Sequence, residues 1–194
     1  MVQTKKEDVR QSILAAAREL IEKKGYHGAS MVQIAKAAGM SPANIYVYFS
    51  SKLDVLFAIY DPWLRARLIQ LQKDVKSIPD RSERLRFILR TLWNDIPSEE
   101  NCFANNLMQA LSTATPSDEY SRDLLHWSER KISEMISDAL PDDRKYLMAD
   151  RSLTHVVFMA FDGFAMNHKL NGPSKRIDQS LDLMVELLTG HQKA

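Results

Sequence analysis

Only one of the 194 residues is a cysteine, Cys102. A single thiol excludes an intrachain disulfide and a thiolate metal cage built from one chain, and it suits a reducing compartment. As a lone side chain it reads as a small buried hydrophobe. Long apolar runs are also missing. The most apolar stretch, Val156 to Met166, is broken by Asp162, whereas a membrane span takes about twenty consecutive apolar residues. The N-terminus has no charged-then-apolar signal pattern, so a cytoplasmic protein without a membrane partner is expected. Charge of one sign is scarce: 26 basic residues face 25 acidic ones, for a net charge of +1. The chain is neither a basic tail nor an acidic coat. With 45% hydrophobic residues it has an ordinary globular balance, with room for one large or two small domains.

Catalytic signatures are absent too. There is no Gly-rich phosphate loop, no strained serine elbow and no paired-cysteine motif. His155 and Asp162 are seven residues apart and can share a helix face, but His168 lies about 220° round the helix from His155, which rules out a facial metal triad there. No enzyme activity, metal or cofactor is expected. Nor does any stretch alternate apolar and polar residues over the length of a strand, so the expected fold is all-α.

What is present is concentrated between Ser30 and Lys52, SMVQIAKAAGMSPANIYVYFSSK. Ser30 with Gln33 forms a capping box that opens a short helix over Ile34, Ala35 and Ala38. Gly39 tolerates the positive φ that stops a helix and turns the chain. Ser41 then caps a second helix, with Pro42 at its first position, where a missing N–H costs nothing. At 100° per residue, Ile45 and Phe49 fall on one side of this helix, expected to run to Phe49. Ser41, Asn44, Val47 and Tyr48 fall on another. The displayed side is small, neutral and hydrogen-bonding. It suits a DNA major groove, where an Asn amide can donate to N7 of adenine and accept from its N6 amino group.

A helix of about twenty residues ending in Gly25-Tyr26, the Ile34-Ala35…Ala38-Gly39-Met40-Ser41 turn, and Ile45-Tyr46-x-Tyr48-Phe49-x-x-Lys52 together resemble the DNA-binding domain of TetR-type (tetracycline-repressor-like) transcriptional regulators. The resemblance covers roughly the first sixty residues. It implies phosphate contacts from Ser30, Tyr48 and Lys52, and places Ser41, Pro42, Ala43, Asn44 and Tyr46 at or in the groove, with Val47 beside them. Pro42 stands where many members carry Lys, and Val47 where many carry an aromatic or basic residue, so this head has fewer polar contacts to offer.

The first sixty residues hold eight basic and five acidic side chains, which places the positive surplus with the reading head. Thr4 and Glu7 suggest a cap for a supporting helix whose stripe, Val9, Ile13, Ala17, Leu20 and Ile21, completes a small core with Ile34, Ile45 and Phe49. Ser51 and Asp54 open a further helix reaching Leu71, in which Asp61-Pro62 predicts a kink or break near Tyr60. Further helices are expected from Asp80 to Ile96, Asn101 to Thr113, Thr115-Pro116 to Leu140, Asp150 to Leu170 and Lys175 to Thr189, with a turn or short helix after Pro141. A helix-turn-helix domain over 1–54 is thus followed by a helical ligand-binding and dimerisation domain over 55–194.

In the penultimate helix Val156, Ala160, Gly163 and Asn167 share one face, and the last helix supplies Ile177, Leu181, Met184 and Leu188 as a stripe. Both stripes can pack within one chain. A small-residue face beside a terminal stripe nevertheless resembles the four-helix dimer interface of the family, and two reading heads match a palindromic site. The family commonly encloses a small molecule in the helical body. Here Trp63, Trp93, Phe103, Met108, Trp127, Met135 and Phe158 suit an apolar or aromatic ligand, with Asn105, Asn106, Gln109, His126, Asp162 and His168 as polar candidates. The expected function is a homodimeric regulator, a repressor, that binds a double-stranded operator and is released by a small molecule. The alternative is a helix-turn-helix protein that acts through a protein partner without ligand control.

Overall fold

The computed structural model describes residues 2–115 and 122–190, with side chains from residue 6 onward. Among the described residues there is no strand. The helices are α1 (Val2–Gly28), α2 (Met31–Ala37), α3 (Pro42–Ile45), α4 (Lys52–Ser77), α5 (Arg81–Arg90), α6 (Phe103–Thr113), α7 (Asp123–Ala139), α8 (Ser152–Asn171) and α9 (Ile177–Thr189). A π-helical turn, Thr91–Asp95, extends α5, and a 3-10 segment, Asp142–Met148, precedes α8. No described helix is long and apolar enough to cross a membrane. Pro116, expected to open α7, lies outside the described residues, as does the side chain of Thr4; the α1 backbone is already helical at Val2.

Local signals set most of the ends. Asp80 caps α5 by accepting from Glu83 N at 2.9 Å, Gly172 follows α8, and Gly190 follows α9 in the left-handed region. Helix α4 passes through Pro62 without a break. Pro62 is solvent-exposed, while Ile59, Tyr60 and Leu64 around it are buried. Tertiary packing of that apolar side outweighs the single hydrogen bond a proline removes.

The chain divides into two compact units, Met1–Trp63 with Asn101–Ser121, and Leu64–Glu100 with Arg122–Ala194. The first therefore takes in the start of α4 and the whole of α6. Its core contains Ile13, Ala17, Ile21, Ile34, Ile45 and Phe49, all buried. In the second unit, α9 packs on α5. There Arg86 pairs with Asp178 and Asp182, and Arg90 with Asp178 at 2.8 Å. The π turn seats Trp93, whose indole N–H donates to Val157 O at 3.1 Å and whose ring stacks on Phe164 with centroids 5.3 Å apart.

Candidate nucleic-acid interface

Helix α2 starts with the capping box complete: Ser30 Oγ accepts from Gln33 N, and Gln33 Oε1 accepts from Ser30 N, each at 3.2 Å. Gly39, at φ 72°, makes the turn. Ser41 Oγ accepts from Asn44 N at 3.3 Å to open α3, with Pro42 in its first turn. The α-helix is shorter than the span to Phe49 suggested by the sequence. After Ile45 the chain closes with tighter bonds, Val47 N to Asn44 O at 3.2 Å and Tyr48 N to Ile45 O at 3.0 Å. The run Ile45-Tyr46-Val47-Tyr48 is β-branched or aromatic throughout and has little intrinsic helix preference.

The two sides remain well separated. Ile45 and Phe49 are buried, whereas Ser41, Pro42, Ala43, Asn44, Tyr46 and Val47 are exposed and Tyr48 is half-buried. Ser30 is exposed at the start of α2. The Asn44 side-chain amide makes no hydrogen bond to any described residue, so its donor and acceptor are both available to an outside partner.

Lys52 sits differently. Its ammonium donates to Tyr26 O at 2.8 Å and to Ala29 O at 2.9 Å, and lies 4.1 Å from the centroid of the Tyr26 ring. Burial holds its pKa below the ordinary lysine value. Two of its three N–H groups are therefore spent on the corner between α1 and α2, which leads directly to Ser30.

The same corner is gripped from α6. Gly25 turns the end of α1 at φ 73°, and a Cβ there would stand 3.2 Å from Gln109 Oε1. That oxygen accepts from His27 N at 3.2 Å, and Asn106 Oδ1 accepts from Tyr26 N at 3.0 Å. Asn106 is completely buried. Its Nδ2 donates to the Tyr60 hydroxyl at 3.0 Å, and that hydroxyl donates to Asn101 O at 2.8 Å. Asn106 and Gln109, read in the sequence as polar candidates for a ligand, thus hold the reading head. The pairings are 80 and 82 residues apart along the chain, and no local pattern announces them.

The aromatic candidates are spread over both units. In the first, Trp63 and Phe103 touch with centroids 4.8 Å apart, and Met108 is half-buried on α6. In the second, Trp93 is buried on Phe164, the Arg65 guanidinium lies 4.7 Å from the Trp127 ring centroid, and Phe158 and Asp162 are half-buried on α8. Asp162 has no described partner, and burial raises its carboxyl above the usual range. A cleft of about 260 Å³ in this unit is lined by Gln72, Val75, Lys76, Arg84, Met135 and Asp138, of which Met135 belongs to the side chains expected around a ligand.

The last two helices also differ from the expected pairing. Val156 and Gly163 are exposed, with Ala160 and Asn167 half-buried, so this face of α8 lies open. On α9, however, Ile177, Leu181 and Leu188 are buried within their own chain, and Met184 is half-buried. The periodicity marked an apolar face of α9, but α5 covers it. The large apolar side chains α9 leaves open are Leu183 and Leu187. On α8 the open ones, Met159, Met166 and Leu170, continue the line of Val156 and Gly163 in steps of three and four residues, a signal legible in the sequence.

Residues 13–59 match the model of the bacterial regulatory proteins of the tetR family. The chain carries a TetR-family DNA-binding domain. A fatty acid metabolism regulator protein of Bacillus subtilis is 28% identical over 89 residues, which is 46% of this chain and 46% of that protein. The chain thus aligns with about half the length of this curated relative. The TetR likeness of the fold extends further. The structure of the transcriptional regulator FadR from Bacillus subtilis with stearoyl-CoA superposes with a TM-score of 0.64 at 20% identity, covering 94% of this chain and 99% of that one. The structure of AibR with isovaleryl coenzyme A and operator DNA gives 0.57 at 24% identity, covering 93% and 97%. The architecture is a TetR-type one, an N-terminal helix-turn-helix followed by a helical domain.

Proposed function

We propose that the protein is a homodimeric, ligand-responsive transcriptional repressor that reads a palindromic operator with α3 and the turn behind it. The observation that carries this reading is the capped, uncharged surface from Ser41 to Val47, exposed on a core that buries Ile45 and Phe49. Ser30 and Tyr48 would contact phosphates on either side, positioning the head without reading sequence.

Dimerisation is supported by the open apolar side chains of α8 and α9, each more than half exposed in the single chain. Gly163 strengthens the case. A Cβ there would meet nothing within 4 Å, so packing inside the chain does not account for a glycine that costs about 1 kcal/mol of helix propensity. Close approach of a second copy would.

The stearoyl-CoA and isovaleryl-CoA complexes of the similar structures support an acyl-coenzyme A thioester as the ligand. Release requires only that it bind tighter to the head spacing that does not fit DNA. Helix α4, continuous from Lys52 to Ser77, is the proposed mechanical link. The test is selection of duplexes from a random library at moderate salt, with the mass in solution recorded and short- and long-chain acyl-CoA then added. An enriched inverted repeat, a mass of two chains and loss of DNA on adding a thioester are expected. No enrichment at any salt would overturn the reading, and unchanged DNA binding with every thioester would remove the proposed ligand class.

A further inference from the structure

From Ala37 to Ser51 the chain holds no charged residue. The cation at the far end of that stretch, Lys52, has its ammonium on Tyr26 O and Ala29 O. Guanine presents two acceptors, O6 and N7, best met by a bidentate Arg or by Lys, and cytosine presents an N4 donor best met by a carboxylate. The displayed turn supplies neither. It supplies one free side-chain amide, Asn44, the apolar side chains of Ala43 and Val47, and the uncharged hydroxyls of Ser41 and Tyr46. Ala43 precedes Asn44, and the tight turn closed by Val47 N on Asn44 O brings Val47 in directly after it. Val47 is 67% exposed, and Val32 and Tyr46 are each 56% exposed. These three are the large hydrophobics left exposed among the described residues of the first unit, and all belong to the helix-turn-helix.

We infer that this surface is specific for A·T base pairs, with Asn44 reading adenine and Val47, flanked by Ala43, packing on the C5-methyl of thymine. The inference rests on the DNA-reading function proposed above and narrows its substrate to half-sites whose read positions are adenine and thymine. Both halves of the recognition follow from chemistry the surface holds. The amide of Asn44 matches the adjacent acceptor and donor of adenine, and a branched apolar side chain gains by covering a methyl group otherwise hydrated in the groove.

The experiment uses the full chain and the duplex selected from the random library, first as selected and then with uracil replacing thymine at each position in turn, which removes only the methyl group. At the position facing Val47, uracil is expected to weaken the wild type about fourfold, the worth of one buried methyl. Val47→Ala should bind the thymine duplex more weakly and lose its sensitivity to uracil. Val47 lies at the surface, so the variant keeps the fold, checked by its melting temperature. A half-site read at G·C pairs, or uracil tolerated at every position, overturns the inference while leaving DNA binding intact. Failure to enrich any duplex overturns the DNA-reading function itself.

Discussion

The two units leave different surfaces open, and the contrast shows how each is suited to its partner. In the reading head the open side chains are chemically mixed, and the turns that present them are fixed by side-chain caps at Ser30 and Ser41, by Gly39 and by short backbone bonds after Ile45. Along α8 the large apolar side chains left open follow one helical line that passes through Gly163, and α9 adds Leu183 and Leu187. In the proposed function the first surface recognises by the position of individual atoms. In the proposed dimer the second would work by area, and would tolerate exchange of one apolar side chain for another as long as it stays continuous and thin at Gly163.

The largest effect should come from thickening that line. A Cβ at Gly163 meets nothing within 4 Å in the single chain, so Gly163→Leu should leave the fold intact, or stabilise it by up to about 1 kcal/mol through helix propensity. Across an interface it overpacks, and is expected to raise the dimer dissociation constant about 10- to 100-fold, read by sedimentation across concentrations. An unchanged dimer would place the contact elsewhere.

Next comes the grip on the head. Asn106→Leu keeps the side chain's volume but strands the buried Tyr26 N–H, which should cost about 1–3 kcal/mol and appear as a lower melting temperature. DNA affinity should fall with it, because the corner between α1 and α2 positions Ser30.

Within the head, two substitutions separate reading from holding. Asn44→Ala should cost about 1–3 kcal/mol on the selected duplex and little on random DNA. Lys52→Met should weaken all sequences alike with an unchanged salt slope, since its ammonium is committed to two carbonyls; a slope reduced by about 0.9 would instead count one lost phosphate contact.

The smallest effect concerns Asp162. Burial raises its folded pKa above the unfolded value, so the side chain favours the fold below the unfolded pKa and loses that contribution as pH rises through the folded one. Asp162→Asn should therefore melt slightly higher than the wild type at neutral pH, with the difference closing in acid. A gain on removing a carboxylate is the pattern of a residue retained for binding, and calorimetry with a thioester would test that directly.

Much of this was legible in the sequence because it is local. Ser30 with Gln33, Gly39, Ser41 with Pro42, and Asp80 each act on backbone groups within a few residues, and the structure shows each in place. Periodicity gave the apolar faces of α8 and α9 but not what covers them, so Ile177, Leu181 and Leu188 read as outward when α5 already buries them. The π turn at Trp93 and the unbroken helix through Pro62 depend on packing across helices, which propensity does not encode. The role of Asn106 was hidden for the same reason: its partners at Tyr26 and Tyr60 are distant in the chain.

The amide protons of Tyr26 and His27 are held by side chains of another helix. Their exchange with solvent deuterium is then gated by how often α6 leaves the corner. Two backbone resonances would act as a clock for that departure, and a ligand that loosens α6 would speed them before any change in DNA binding is detected.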